Sequence, residues 1–188
     1  MNSLQNPLTL SFLLAVFLAL PVSAADISAG EKKAENCVGC HGEKGNSRSA
    51  QWPILAAQQS IYLANQLKAF KAGDRINLMM QSMTANLSNE DIANLAAYFS
   101  SQKPVKAGGD PALAKSGEAK VNMCLGCHGS TAAGNGQFPR LAGQHPDYLV
   151  QQLKAFKDGS RKSGPMQGIV ANLSEDDFKT LAAYFGSL

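Results

Sequence analysis

The motif Cys37-Val38-Gly39-Cys40-His41 recurs in this chain as Cys124-Leu125-Gly126-Cys127-His128. The two copies use all four cysteines and two of the three histidines. Two thiols at this spacing can add to the two vinyl groups of one porphyrin, and the next side chain can then reach the iron. The motifs therefore predict two covalently bound haem c groups. The predicted attachment residues are Cys37, Cys40, Cys124 and Cys127, and the predicted axial ligands are His41 and His128.

Two other chemistries use a Cys-x-x-Cys pair, namely zinc binding and thioredoxin-like thiol exchange. A zinc ribbon places its two pairs about 15–20 residues apart, whereas the second pair here begins 87 positions after the first. A thioredoxin-type dithiol follows a β-strand, but residues 29–36 have a helical pattern. Haem attachment is favoured over both alternatives.

The N-terminus has the features of an export signal. The first 24 residues contain no charged side chain, and an apolar run extends from Leu8 to Leu20 with only two polar interruptions. This run is shorter than the roughly 20 residues that span a bilayer, and small residues follow it up to Ala24. We expect a signal peptide over residues 1–24 and a periplasmic protein. No basic residue precedes the apolar run, so an uncleaved anchor is the alternative.

The chain contains an internal duplication. Residues 53–99 align with residues 139–185 without a gap and are identical at about 26 of 47 positions. The segment 100–109 between the copies contains proline and glycine, as a linker does. This predicts two domains, residues 25–103 and 104–188. Each is small for a single hydrophobic core, and a buried haem would add apolar surface.

Both copies have the pattern of an all-α fold. Apolar residues recur at helical spacing, as in Leu63, Leu67 and Phe70, and there is no alternating strand pattern. Glycines 73 and 159 predict helix ends. Helix starts are predicted by a capping box at Ser28 with Glu31, by Asp110 before Pro111, and by Ser88 and Ser174 with an aspartate three residues later.

The remaining axial ligand of each iron separates an electron carrier from an enzyme. Among the methionines, only Met80 and Met166 coincide in the two copies. A thioether with a histidine raises the reduction potential and leaves little room for substrate at the iron. Met80 and Met166 are therefore the predicted second axial ligands. The alternatives are a packing role, or Met79 or Met83 as the ligand in the first copy.

Two prolines also coincide, Pro53 and Pro139. A metal-bound imidazole usually donates its second N–H to a carbonyl or carboxylate. We expect the carbonyls of Pro53 and Pro139 to accept from His41 and His128, with a plain loop proline as the alternative. The third histidine, His145, is expected in a surface loop.

The net charge of +3 is small for a chain of 188 residues. It argues against nucleic acid as a partner. Weak, transient docking to redox proteins through small interfaces fits this charge better.

The order of the motifs resembles the bacterial dihaem cytochrome c4 family. After each Cys-x-x-Cys-His come Pro-x-Leu-Ala-[Ala/Gly]-Gln, a methionine, Asn-Leu-Ser and Leu-Ala-Ala-Tyr-Phe, so the resemblance covers the whole mature chain. It implies two tandem class I cytochrome c domains, each a small helical shell around one covalent haem. The family's haem-attachment residues and axial methionines fall on the positions named above, Met80 and Met166 included.

The resemblance also implies an electron-transfer protein rather than an enzyme. It would carry electrons from a quinol-oxidising donor of the cytochrome bc1 type to a terminal oxidase, with loose association to the membrane surface. A second hypothesis is the cytochrome subunit of a flavocytochrome-type dehydrogenase. A dihaem peroxidase would need one iron with an open site, and the near-equivalence of the two copies argues against it.

Overall fold

The computed structural model describes residues 24–188, and the predicted signal peptide lies outside this range except for Ala24. The first half forms α1 (Ile27–Ala34), α2 (Val38–His41), α3 (Ser60–Ala72), α4 (Leu78–Thr84) and α5 (Asn89–Ser101). The second half forms α6 (Pro111–Glu118), α7 (Asn122–His128), α8 (Pro146–Lys157), α9 (Gly164–Val170) and α10 (Glu175–Ser187). One isolated antiparallel bridge, Asn135–Phe138, is the β-pairing of the described residues. The all-α prediction is confirmed.

The duplication is visible in the packing. In the first half α1 packs against α5, and in the second half α6 packs against α10. Each pair crosses at a glycine: a Cβ on Gly30 would collide with the carbonyl oxygen of Asn94, and a Cβ on Gly117 with that of Thr180. Only glycine permits this approach of the two helix backbones.

Each half has its own apolar core. In the first half Leu63 of α3 packs with Leu95 and Phe99 of α5. In the second half Leu149 of α8 packs with Leu181 and Phe185 of α10. The helical spacing seen in the sequence therefore marks the buried faces of these helices.

Most predicted helix ends are confirmed, and one start is wrong. Ser88 and Ser174 form capping boxes with Asp91 and Asp177. At α1, however, the N-cap is Asp26, whose carboxylate accepts from the backbone N–H groups of Ser28 at 2.8 Å and Ala29 at 3.1 Å. An aspartate two residues earlier satisfies the free N–H groups that Ser28 was expected to bond.

The predicted starts and ends of three further helices are largely as expected. Asp110 caps α6 with Pro111 at its start. Gly73 is the C-cap of α3 and is left-handed, whereas the C-cap of α8 is Asp158, one residue before Gly159.

The two halves are joined by hydrogen bonds across a shared interface. His145 is part of it: the residue is buried, and its Nε2 lies 2.9 Å from the carbonyl oxygen of Ser47. The expectation that His145 lies in a surface loop is therefore wrong. It lies at the start of α8, on the side that faces the other half of the chain.

No helix within residues 24–188 combines the length and apolar character that crossing a membrane requires.

Candidate haem sites at the domain interface

Both Cys-x-x-Cys-His motifs are helical. In the first, Cys37 ends a short 3₁₀ turn and Cys40 lies in α2; in the second, both cysteines lie in α7. The first cysteine of each pair is half-buried, the second is exposed, and all four are free thiols. Burial raises the pKa of Cys37, with a further contribution from Cys40, and burial also raises the pKa of Cys124. Each motif thus presents two thiols about one helical turn apart beside its histidine.

The two motif histidines are buried and oriented by proline carbonyls. Nδ1 of His41 lies 2.9 Å from the oxygen of Pro53, and Nδ1 of His128 lies 2.8 Å from that of Pro139. The predicted hydrogen bonds are confirmed. Because a carbonyl can only accept, Nδ1 carries the proton and Nε2 is the atom that can bind iron.

Burial also favours the neutral form of both imidazoles. It lowers the pKa of His41 and of His128, although the bonds to Pro53 and Pro139 act in the opposite direction. A neutral imidazole is the form that ligates a metal.

A cleft of about 1060 Å³ opens beside the first motif. This volume lies at the upper end of the roughly 300–1,000 Å³ typical of ligand cavities. Its walls include Cys37, His41 and Met80, with Leu67 and Phe70 among the apolar lining. The structure therefore brings an imidazole, a thioether and a thiol of the first half together around one apolar cavity.

The methionines differ in their surroundings. Met80 is half-buried and lines the cleft, whereas Met79 and Met83 are 50% and 45% exposed. The backbone at Met80 is held by Asn77, whose side chain accepts from the Met80 N–H at 2.9 Å. In the second half Met166 is half-buried and packs against the cluster of Phe156, Val170 and Phe178.

The cleft continues across the interface, where Arg75 and Arg161 are among the residues that line it. Arg75 donates to Tyr148 at 3.1 Å and to Gln152 at 2.8 Å in the opposite half. Arg161 donates in the reverse direction, to Tyr62 at 2.8 Å and Gln66 at 3.0 Å. Burial alone would raise the pKa of Tyr62, but the charges of Arg161 and Arg75 hold it below its ordinary value.

These residues fit a haem. The apolar walls match a porphyrin, the thiols and the imidazole match thioether attachment and iron ligation, and the two guanidinium groups match anionic propionates. The haem itself would supply a one-electron ferric–ferrous change.

Sequence patterns alone do not identify the polar residues of the interface. Arg75 and Arg161 are equivalent in the duplication, as are the glutamines Gln58 and Gln144. Identity between the copies at polar positions was the available signal. This signal does not give the interface contacts, because the orientation of the two domains is not encoded in either copy alone.

Comparisons with known proteins agree with this geometry. The family model described as Cytochrome c matches residues 27–103 and again residues 114–188. Cytochrome c4 of Pseudomonas aeruginosa is 38% identical over 200 aligned residues, which cover 98% of this chain and all of the relative.

One further relative and one solved structure extend the comparison. A protein of Thiomonas intermedia named thiosulfate dehydrogenase electron acceptor is 36% identical, over 87% of this chain and 80% of its own length. The crystal structure of reduced recombinant cytochrome c4 from Pseudomonas stutzeri matches with a TM-score of 0.82 at 39% identity, covering 88% of this chain and 100% of that one.

Proposed function

Because this chain belongs to the cytochrome c4 family, we propose that it carries single electrons in the periplasm from a quinol-oxidising, cytochrome bc1-type donor to a terminal oxidase. The family makes it an electron-transfer protein and not an enzyme, with two tandem cytochrome c domains and two covalently bound haem c groups. Interaction with redox proteins follows from the same membership. The donor, the acceptor and the compartment are part of the proposal.

The first haem is assigned to Cys37 and Cys40, with His41 and Met80 as axial ligands. Support comes from the cleft, which Cys37, His41 and Met80 all line, and from the exposure of the competing Met79 and Met83. Met79 and Met83 are largely exposed and are not among the residues that line the cleft, so each is a poorer candidate than Met80.

The second haem is assigned to Cys124 and Cys127, with His128 and Met166 as axial ligands. These residues occupy equivalent positions in the duplication. We assign the domain limits at residues 25–103 and 104–188; the two spans of the family model, 27–103 and 114–188, support a division into two domains.

The observation that carries the proposed function is the equivalence of the two sites. In both halves a buried histidine donates from Nδ1 to a proline carbonyl, and a half-buried methionine lies in the first turn of a short helix farther along the chain. Strong ligands on both sides of each iron hold its coordination during electron transfer. A peroxidase would instead require two different sites.

The residues around the first site suit rapid electron exchange. The proline carbonyl fixes the orientation of the imidazole, and apolar side chains such as Leu67 and Phe70 would pack against a haem bound in the cleft. Little reorganisation is then needed when an electron arrives or leaves.

A redox titration of the purified holoprotein tests this function. We expect two one-electron steps at high potential, followed by rapid reduction in stopped flow with a reduced cytochrome bc1 complex and rapid oxidation by a terminal oxidase. A holoprotein that binds an external ligand at one iron and turns over peroxide would contradict it. Cell fractionation and N-terminal sequencing test the compartment, with a mature protein expected to begin at residue 25.

A second candidate function follows from the Thiomonas relative, which is named as an electron acceptor of thiosulfate dehydrogenase. This chain would then accept electrons from a substrate-oxidising dehydrogenase in place of the quinol-oxidising complex. Comparing kcat/KM for the two donors with the same holoprotein decides between them. The flavocytochrome hypothesis differs again, because it requires purification as a stable, stoichiometric complex with a flavoprotein.

A further inference from the structure

Two buried glutamines connect the halves in matching ways. The side chain of Gln144 accepts from the N–H of Ile54 at 2.8 Å and donates to the carbonyl of the same residue at 2.9 Å. The side chain of Gln58 accepts from the N–H of Arg140 at 2.7 Å and donates to its carbonyl at 3.0 Å. Each amide thus bonds both polar backbone groups of one residue in the opposite half.

The residues that these glutamines bond, Ile54 and Arg140, directly follow the prolines whose carbonyls accept from the motif histidines. Ile54 follows Pro53, whose carbonyl accepts from His41, and Arg140 follows Pro139, whose carbonyl accepts from His128. The carbonyl of each proline belongs to the peptide unit that includes the N–H bonded by the glutamine. The glutamine of one half therefore holds the very peptide group that orients the histidine of the other half.

Both glutamine side chains are buried and hydrogen-bonded, which holds them in place. Both are only 6% exposed. Their side-chain oxygens also accept from the next backbone N–H, that of Gln59 and that of His145, at 3.0 Å in each case. This third bond sets which end of each amide carries the oxygen.

We propose that Gln58 and Gln144 are positioning residues that act across the interface, each adjusting the reduction potential of the haem in the opposite half. The proposal rests on the assignment of His41 and His128 as axial ligands. Gln144 controls the first haem through Pro53 and His41, and Gln58 controls the second haem through Pro139 and His128. Each histidine ligand is therefore oriented partly by a hydrogen bond that comes from the opposite half.

The direction of the effect follows from the chemistry of the imidazole. A hydrogen bond from Nδ1–H to a carbonyl makes the imidazole a more basic ligand, which stabilises ferric over ferrous iron. An accepting amide at the Ile54 N–H also polarises the Pro53 carbonyl, because hydrogen bonds in a chain strengthen one another. Loss of the bonds between Gln144 and Ile54 weakens the hydrogen bond from His41 to Pro53, so the reduction potential of the first haem rises.

The test compares Gln144→Met and Gln58→Met in the full-length holoprotein. Methionine keeps the length of the side chain and removes both interface bonds. The two haems are followed separately by their hyperfine-shifted methyl resonances in NMR during a redox titration. We expect Gln144→Met to raise the midpoint potential of the haem attached to Cys37 and Cys40, and Gln58→Met to raise that of the haem attached to Cys124 and Cys127.

A matched control is Gln59→Met. Gln59 also crosses the interface with two bonds, to the carbonyl of Ala133 at 3.0 Å and from the N–H of Gly136 at 3.2 Å, but it does not contact residue 54 or 140. We expect smaller shifts in both haems for this variant. If Gln144→Met does not fold, Gln144→Asn, which keeps the amide and shortens its reach, replaces it.

The pattern of shifts decides the outcome. A shift confined to the haem of the opposite half supports the proposal. Equal shifts in both haems, a shift in the variant's own half, no shift, or a shift as large in Gln59→Met would overturn it. Failure of the ligand assignment itself is seen separately, as the absence of two histidine–methionine signatures in the unmodified holoprotein.

Discussion

Nη2 of Arg75 lies 2.8 Å from Oε1 of Gln152, across the interface between the two halves. Its guanidinium group also lies 4.5 Å above the ring of Phe70 on its own half. The ion pairs found among residues 24–188 are formed by lysines instead. Arg75 is thus a half-buried positive charge bonded to neutral groups. Such a charge is costly unless an anion compensates it, and a propionate of a haem bound in the cleft would be such an anion.

We expect Arg75→Gln to lower the reduction potential of the first haem. Removing a positive charge near the iron favours the ferric state, by roughly 1–2 kcal/mol at the effective dielectric constant of a protein, or about 40–90 mV for one electron. A spectroelectrochemical titration measures this shift. Lys71→Gln is the control: Lys71 lies near the end of α3, four residues before Arg75, and its side chain is exposed. Its loss should change the potential much less because water and salt screen its charge. Equal shifts in the two variants would remove the role given to Arg75.

The methionine assignment makes a separate prediction. Met80→Ala should abolish the sulfur-to-iron band in the near infrared for one haem and lower its potential, since thioether ligation stabilises ferrous iron. Met79→Ala and Met83→Ala should leave the band unchanged, because both side chains are about half-exposed. Loss of the band in either control, with retention in Met80→Ala, would show that the ligand has been misassigned.

Local chemistry was predictable from the sequence, and contacts between the halves were not. The bond from His41 to Pro53 spans 12 positions within one copy, and the duplication points to it because His128 and Pro139 are placed in nearly the same way. His145, by contrast, meets Ser47 across 98 positions, and its counterpart is a glutamine. Neither helical periodicity nor a motif contains information about how two domains dock.

The capping prediction at Ser28 failed for a local reason. A serine followed three residues later by a glutamate fits the capping box, but Asp26 is closer to the true start of the helix and accepts two backbone N–H groups. Its own N–H is bonded to Asn94 Oδ1 at 2.7 Å, on the helix that α1 crosses. Tertiary contact therefore fixes which of two competing caps is used.

Gly117 should tolerate no side chain. A Cβ there would collide with the carbonyl of Thr180 and press on Tyr184, and such overpacking costs about 1–3 kcal/mol. Urea denaturation followed by circular dichroism should show this loss for Gly117→Ala. The control is Gly168→Ala in α9, where a Cβ meets nothing within 4 Å. Alanine there should raise the free energy of unfolding by roughly 0.5–1 kcal/mol. A stable Gly117→Ala protein would mean that α6 and α10 can move apart without loss.

Asp177 should make stability depend on pH. Its carboxylate bonds the side chain of Lys120 and the hydroxyl and N–H of Ser174, and these contacts hold its pKa well below the ordinary value. A carboxyl group with a depressed pKa stabilises the fold above its unfolded pKa of about 3.9, and this stabilisation disappears as the pH falls through the folded pKa. Asp177→Asn should therefore be less stable than the unmodified protein at pH 7, and the difference should shrink below about pH 4. Denaturation midpoints at several pH values measure the difference.

Asp176→Asn is the matched control, because Asp176 lies in the same turn but pairs with Lys179 on the surface, where ion pairs contribute little. An Asp177→Asn deficit that stayed constant down to pH 2, or one equalled by Asp176→Asn, would show that the stabilisation comes from the helix terminus in general and not from these bonds.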